Sequence, residues 1–137
     1  MNNFSNAVKA LIVKDERLLL IKRRPNDVHK PGQWDIPGGR LEAGESPFLG
    51  LQRETNEEVG IEIEIVMPLD VHYFIRDDGQ QITLMIFLCK PKSGEIKLSE
   101  EHSEFKWIDL KNPEDDLPDW LHHPIENYKR LIMLEKP

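Results

Sequence analysis

The chain has 137 residues, 39% of them hydrophobic and 31% charged, with a formal charge of −7. That size and balance fit a single globular domain, residues 1–137, able to bury a sizeable core. The acidic balance argues against a nucleic-acid backbone as the main partner, because such proteins usually display a basic face. It leaves a phosphorylated small molecule open, since a bound cation can supply positive charge.

The lone cysteine, Cys89, excludes an intramolecular disulfide and fits a reducing compartment. No apolar run approaches the length of a membrane span, and the first residues lack a signal-peptide core. A cytoplasmic location is the resulting expectation, with no membrane partner. No internal repeat or low-complexity segment breaks the chain.

In chain order, 6–14 and 17–22 are apolar runs around Ala10-Leu11-Ile12-Val13 and Leu18-Leu19-Leu20-Ile21, separated by Asp15-Glu16. That pattern predicts a hairpin whose strands are covered on both faces. Lys22-Arg23-Arg24 follow, read either as a solvated strand end or as a phosphate-facing patch. From Pro25 to Gln33 the composition is that of a loop. Trp34 leads toward Pro37-Gly38-Gly39, either as a core or hinge aromatic or as a stacking platform.

Ser46 stands where a helix N-cap belongs, Pro47 at the first helical position and Gly60 at the C-terminal stop. Between them Phe48, Leu51, Thr55 and Val59 form a three- and four-residue apolar stripe for packing on a sheet. Gly50 is costly inside a helix, by about 1 kcal/mol against Ala, which suggests close packing there. Glu54, Glu57 and Glu58 fall at spacings of three and four, so their carboxylates share one face. Such like charges repel unless they are merely solvated or bind a hard divalent cation through oxygen ligands. Arg53 beside them and Glu45 before the helix concentrate both signs of charge, and Gly38-Gly39 can turn sharply and present bare backbone.

Downstream, 61–65 alternates as a half-exposed strand, Pro68 predicts a bend or bulge, and 71–75 resumes as strand. Asp77-Asp78-Gly79 is a hairpin turn and 81–89 the returning strand. Pro91 to Ser99 reads as a loop or short strand, and the run Glu100 to Trp107 follows. Asn112 to Pro118 is a loop, and a last helix is expected over 124–134 with Ile125, Tyr128 and Leu131 or Ile132 facing the core.

The stretch Gly39–Ile61 resembles the Nudix box, G-x5-E-x7-R-E-U-x-E-E-x-G-U with U apolar. Gly39, Glu45, Arg53, Glu54, Glu57, Glu58, Gly60 and Ile61 fill its positions, and Thr55 replaces the usual aliphatic residue at one U. The resemblance implies an α/β fold, the Nudix αβα sandwich with a mixed β-sheet between helices. It implies Mg²⁺-dependent hydrolysis, with Mn²⁺ as a substitute, of a diphosphate linkage in a nucleoside diphosphate compound.

By that resemblance Glu54, Glu57 and Glu58, with the Gly38 carbonyl and a loop acid matched by Glu101, hold the metal. Glu100 and Glu104 rival Glu101. Arg53 orients the glutamates, Glu45 supports that network, and the general base is Glu54, Glu57 or Glu101. Arg23, Arg24, Gly39 and His122 are the candidate substrate contacts, His122 standing where some relatives that clear oxidised guanine nucleotides carry a base-reading Asn. His102 is either a surface histidine or an aid to orientation or proton transfer.

The tags associated with coenzyme A, NADH, ADP-ribose and dinucleoside polyphosphates are absent, leaving nucleoside triphosphates or nucleotide sugars. An isomerase acting on isopentenyl diphosphate, a decapping role and a catalytically silent nucleotide-binding domain are the alternatives. Many relatives dimerise, so a homodimer is open.

Overall fold

The computed structural model describes residues 3–28, 30–112 and 117–135. Most of the loop expected over 112–118 lies outside them. The chain runs β1 (Phe4–Lys14), β2 (Arg17–Arg23), β3 (Trp34–Asp35), β4 (Gly38–Arg40), α1 (Pro47–Val59), β5 (Glu62–Ile75), β6 (Gln81–Ser93), β7 (His102–Asp109) and α2 (Asp119–Glu135).

The apolar runs of β1 and β2 do form a hairpin, with Asp15 and Glu16 in left-handed conformation at φ 52° and 61°. Alternate side chains of both strands enter different cores. Leu11, Val13, Leu18 and Leu20 pack with Leu121 and Ile125 of α2. Val8, Ala10, Ile12, Leu19 and Ile21 pack with Leu51 and Val59 of α1. The result is an α/β sandwich whose mixed sheet has order β3-β2-β1-β6-β5, with β4 added to β1 and β7 to β2. β1 and β6 are parallel and the other pairs antiparallel. Among the described residues no helix is long and apolar enough to cross a membrane.

Four local expectations change. The segments 61–65 and 71–75 are one strand, because register shifts at 65/67 and 68/70 absorb Pro68 as bulges. β6 continues through Pro91 to Ser93, so less of 91–99 is loop. The glycines after Pro37 form a short strand, β4, rather than only a turn. The last helix begins at Asp119, with Pro124 inside it. A proline reads as a helix start, but Asp119 follows Pro118 in the first turn and Leu121 and Ile125 supply the buried stripe.

Two glycines sit in close contact. A Cβ on Gly50 would lie 2.3 Å from Leu41 Cδ2 and 3.0 Å from Glu45 Oε1, side-chain tips that would have to shift for any other residue at this point of α1. A Cβ on Gly38, at φ 146°, would lie 2.1 Å from the Val8 carbonyl oxygen. Backbone cannot yield as a side-chain tip can, so Gly38→Ala is expected to lower stability by about 2–4 kcal/mol. Urea unfolding of the variant measures this, and an unchanged midpoint would show that β4 does not pack as described.

Candidate functional site

The capping signals place α1 as read. Ser46 Oγ accepts the Phe48 amide at 3.1 Å, and Gly60 closes the helix at φ 72°. The stripe buries Leu51, Thr55 and Val59, while Phe48 at its outer end stays half exposed against Phe87. Docking that stripe aims the box glutamates at the end of the sheet where β4 crosses.

Arg53 is the hub of the acidic group. Its Nε and Nη2 donate to the two Glu45 oxygens at 2.7 and 3.0 Å. Its Nη1 donates to Glu54 at 3.1 Å and to Glu57 at 3.4 Å. This fork holds the Glu45 carboxyl down at about 2, with help from the Glu42 amide, and raises the guanidinium above its usual value. Arg53 thus ties Glu45, Glu54 and Glu57 into one hydrogen-bonded group. Arg53→Lys keeps the charge but loses the fork. It should lower kcat about 10- to 100-fold, the usual effect of a partner that orients metal ligands. Steady-state kinetics at saturating cation checks this, and a wild-type kcat would remove Arg53 from that role.

Glu58 is buried, and its Oε1 accepts the Gly38 amide at 2.7 Å. Burial pushes its carboxyl up to about 7, against the opposing pull of Lys9. Glu54 is raised too, first by burial and further by the charges of Glu57 and Glu101. Glu101 thus lies within electrostatic reach of Glu54. Glu57 points mostly to solvent. Glu104 is exposed and pairs with Lys22 at 3.4 Å. The Gly38 group seen touching the cluster is its amide.

Oxygen-only donors with upward-shifted carboxyls fit a hard divalent cation, whose charge would relieve the repulsion between them. In the present rotamers, among the described residues, no three acidic, histidine or cysteine side chains converge into a ready-made cation site. Arg53 occupies oxygens of both Glu54 and Glu57, so these acids fit the cation in kind and would have to turn to hold it.

Gly38 and Gly39 also border a cavity of about 480 Å³. A Cβ on Gly39 would lie 2.7 Å from Glu54 Oε2, so only glycine lets the carboxylate sit against this strand. Lys9, Arg23, Lys30, Arg40 and Arg76 line the cavity with positive charge. His72, Phe74 and Trp120 line its aromatic side. The His72 ring stacks on Phe74 at 5.4 Å and on Trp120 at 6.1 Å between centroids, and Lys30 Nζ stands 5.9 Å over Trp120.

Of the substrate candidates, Arg23 and Gly39 line this cavity. Arg24 is exposed, its guanidinium donating to the Glu100 carbonyl and its amide to Glu101 O at 3.1 Å. His122 is exposed on α2, and α2 reaches the cavity through Trp120 instead. Trp34 packs on the α2-side core with Lys106 4.2 Å over its ring and is not among the residues lining the cavity.

Beneath the site lies a buried charge network that the sequence reading missed. Lys9 Nζ donates to Asp35 Oδ2 at 2.9 Å and to the Ile36 carbonyl at 3.2 Å. Arg23 reaches Asp35 at 3.4 Å and Asp27 at 3.2 Å. His102 is buried rather than on the surface, with Nε2 4.0 Å from Glu58. Burial, then Arg23, pushes its pKa down to about 4, so its ring is neutral at pH 7. The available signal was a lysine and an aspartate inside otherwise apolar runs, since buried charges are rarely found unpaired.

Comparison with known proteins agrees with this arrangement. The NUDIX domain family model matches residues 4–129. A MutT-like protein of Streptomyces ambofaciens is 34% identical over 105 residues, covering 76% of this chain and 63% of its own. An ADP-ribose pyrophosphatase of Methanocaldococcus jannaschii is 33% identical over 107 residues, covering 77% of this chain and 62% of its own. The chain thus spans less than two thirds of the length of either relative. The crystal structure of a MutT protein from Methanosarcina mazei Go1 superposes with a TM-score of 0.84 at 28% identity, covering 98% of both chains. With the full box, the sandwich and these matches in agreement, the chain belongs to the Nudix family.

Proposed function

We propose that the chain is a pyrophosphohydrolase that uses Mg²⁺, or Mn²⁺ in its place, to cleave a diphosphate linkage in a nucleoside diphosphate compound. The observation that carries this reading is the position of Gly38–Gly39. The same two residues touch Glu58 and Glu54 on one side and border the cationic cavity on the other. A diphosphate lying along that border would meet acids able to hold a cation and lysines and arginines able to take its oxygens.

In this reading Glu54, Glu57 and Glu58 hold the cation, with the Gly38 carbonyl and Glu101 completing the oxygen set. The bound cation supplies charge neutralisation and an acidified water. Arg53 and Glu45 keep the carboxylates oriented. Arg23, Arg24 and Gly39 address the phosphates, with Lys9 and Arg40 beside them, and His122 stands at the outer approach on α2. The proton acceptor is Glu54, Glu57 or Glu101. The nucleobase takes the aromatic side of the cavity, against Trp120, His72 and Phe74. Relatives named for different substrates share this chain's fold, and the stacking side selects an aromatic base without naming it. Nucleoside triphosphates, modified or not, and nucleotide sugars are the proposed class. A cytoplasmic location follows from these substrates and the lone cysteine.

The test is phosphate and pyrophosphate release from a panel of canonical and oxidised (d)NTPs, ADP-ribose, nucleotide sugars and dinucleoside polyphosphates, with and without Mg²⁺. Cation-dependent turnover of one class is expected. Binding without any turnover would instead make the chain a silent nucleotide-binding domain. Within an active class, Trp120→Ala should raise KM about 10- to 100-fold with kcat less affected, since base–aromatic stacking is worth about 1–3 kcal/mol. An unchanged KM would move the base elsewhere.

A further inference from the structure

Of the lysines and arginines that line the cavity, three are held by carboxylates. Lys9 is bound by Asp35 at 2.9 Å, Arg23 by Asp27 at 3.2 Å and Asp35 at 3.4 Å, and Arg76 by Asp78 at 3.0 Å. Arg40 is exposed on β4, beside the glycine border. Lys30 differs from all of these. It is partly buried, and among the described residues its ammonium meets no carboxylate, only the Trp120 ring 5.9 Å from the centroid. That is near the limit for attraction between a cation and a ring, so the ring offsets little of the hydration this ammonium has lost. Burial, the largest influence, pulls its pKa below the usual lysine value. Asp35 and Asp27 oppose that shift, and Lys9 and Arg23 add to it.

The backbone around Lys30 is fixed. Its amide donates to Asp27 Oδ1 at 2.8 Å and its carbonyl accepts the Gln33 amide at 3.3 Å, while Asp27 Oδ2 takes Arg23. The loop therefore sets the side chain at the aromatic side of the cavity, and the flexible stem leaves the ammonium free to swing. A part-buried donor without an acceptor marks a place where a ligand oxygen belongs. The phosphates are placed along Gly38–Gly39, with Lys9, Arg23 and Arg40. Lys30 stands instead at Trp120, where the base is placed.

We propose that Lys30 sets the base preference of this site by donating to a ring carbonyl oxygen of the base held against Trp120, an assignment that rests on the base lying where the hydrolase reading puts it. An ammonium donates and never accepts, so it bonds a keto oxygen but not an amino group. Guanine, hypoxanthine, uracil and thymine carry an oxygen at the edge far from the sugar, whereas adenine and cytosine carry an amino group there. The N7 acceptor is common to both kinds of purine and does not separate them. An amino base would leave the Lys30 donor facing another donor, both short of water. Asp77, the one acid lining the cavity among the described residues, suits an amino group, but it is exposed in the turn after β5, where water competes with it. The site therefore takes nucleotides of keto bases in preference.

The test reads binding, so it does not depend on turnover. Calorimetry with Ca²⁺ in place of Mg²⁺ gives dissociation constants for ITP against ATP and for UTP against CTP. Each pair differs by a keto or an amino group at that edge and the ring proton beside it. The wild type should bind the keto member about 10- to 100-fold more tightly, the worth of one hydrogen bond to a charged group. Lys30→Met, similar in length but uncharged, should weaken the keto member by that factor and leave the amino member little changed. Lys30→Arg, still a donor, should keep the preference. Trp120→Ala should weaken all four alike; unchanged affinities there, or no binding of any nucleotide by the wild type, overturn the base placement and this assignment together. With the stacking upheld, equal affinities within each wild-type pair, or a preference that survives Lys30→Met, overturn the role of Lys30 alone. An equal loss of both members in Lys30→Met does the same. A chain that binds with this preference and hydrolyses nothing refutes the hydrolase reading and leaves the Lys30 assignment standing.

Discussion

Glu58→Gln is expected to make the cation-free protein more stable while removing most of its turnover. The buried carboxyl is held at about 7, well above the value near 4.5 of an exposed glutamate. The folded chain therefore keeps a proton that the unfolded chain gives up. That contribution is fully present below about pH 4.5 and is lost as pH rises through about 7. At pH 8 the ionised carboxylate costs up to about 3 kcal/mol, and a glutamine, never ionised, escapes that cost. Its amide oxygen can still accept the Gly38 N–H.

Turnover moves the opposite way. With Glu58 among the proposed cation ligands, loss of its carboxylate should lower kcat about 100- to 1,000-fold. Thermal unfolding at pH 8 separates the two effects. Mg²⁺ should raise the melting temperature of the wild type and leave that of the variant almost unmoved. A variant that binds Mg²⁺ and turns over like the wild type would remove Glu58 from the ligand set. Glu57→Gln gives the contrast: Glu57 is mostly exposed, so turnover falls with little change in cation-free stability.

The contrast between Glu57 and Glu58 marks how far the sequence could be read. Spacing put both on one face of α1, and the caps at Ser46 and Gly60 fixed the helix bounds, because these signals are local. Spacing could not say that one carboxylate would be buried under β4 and its neighbour left in water, since that depends on Gly38 approaching from another part of the chain. The cavity was hidden for the same reason. Its aromatic side comes from β5 and α2, far apart in sequence, and Trp120 lies before the proline read as the helix start. Bulges at 65/67 and 68/70 each reverse the faces of β5 and together restore them, so His72 and Phe74 share the face opposite Ile63 and Ile65. What covers that face comes from α2, which alternation along β5 does not reveal.

Removing Asp35 should cost the most stability of any single change at the site. Asp35 is buried, and Lys9 beside it is nearly so, their atoms 2.9 Å apart. Its carboxyl is held below its ordinary value by Lys9, Lys30 and Arg23, which outweigh the upward push of burial. Asp35→Asn leaves the Lys9 ammonium in the core without its counter-ion, a change that typically costs about 3–5 kcal/mol. Lys9→Met should cost less, because Arg23 still faces Asp35 at 3.4 Å. The double variant should cost less than the sum of the two, which a double-mutant cycle in urea measures. Strict additivity would mean the pair is not coupled.

The sign of the pH dependence follows from the lowered pKa. Asp35 adds stability above its unfolded value near 3.8 and loses it as pH falls through the folded value below that. The gap between wild type and Asp35→Asn should therefore narrow in acid. The loss also reaches the site. Asp35 Oδ1 accepts the Ile36 amide at 2.7 Å and Lys9 holds the Ile36 carbonyl at 3.2 Å, so the pair fixes the chain two residues before Gly38. Loosening it frees the Gly38 amide from Glu58. A fall in kcat accompanying the lost stability, at temperatures where the variant is still folded, is the expected sign that the buried pair positions the glycines for the acids above them.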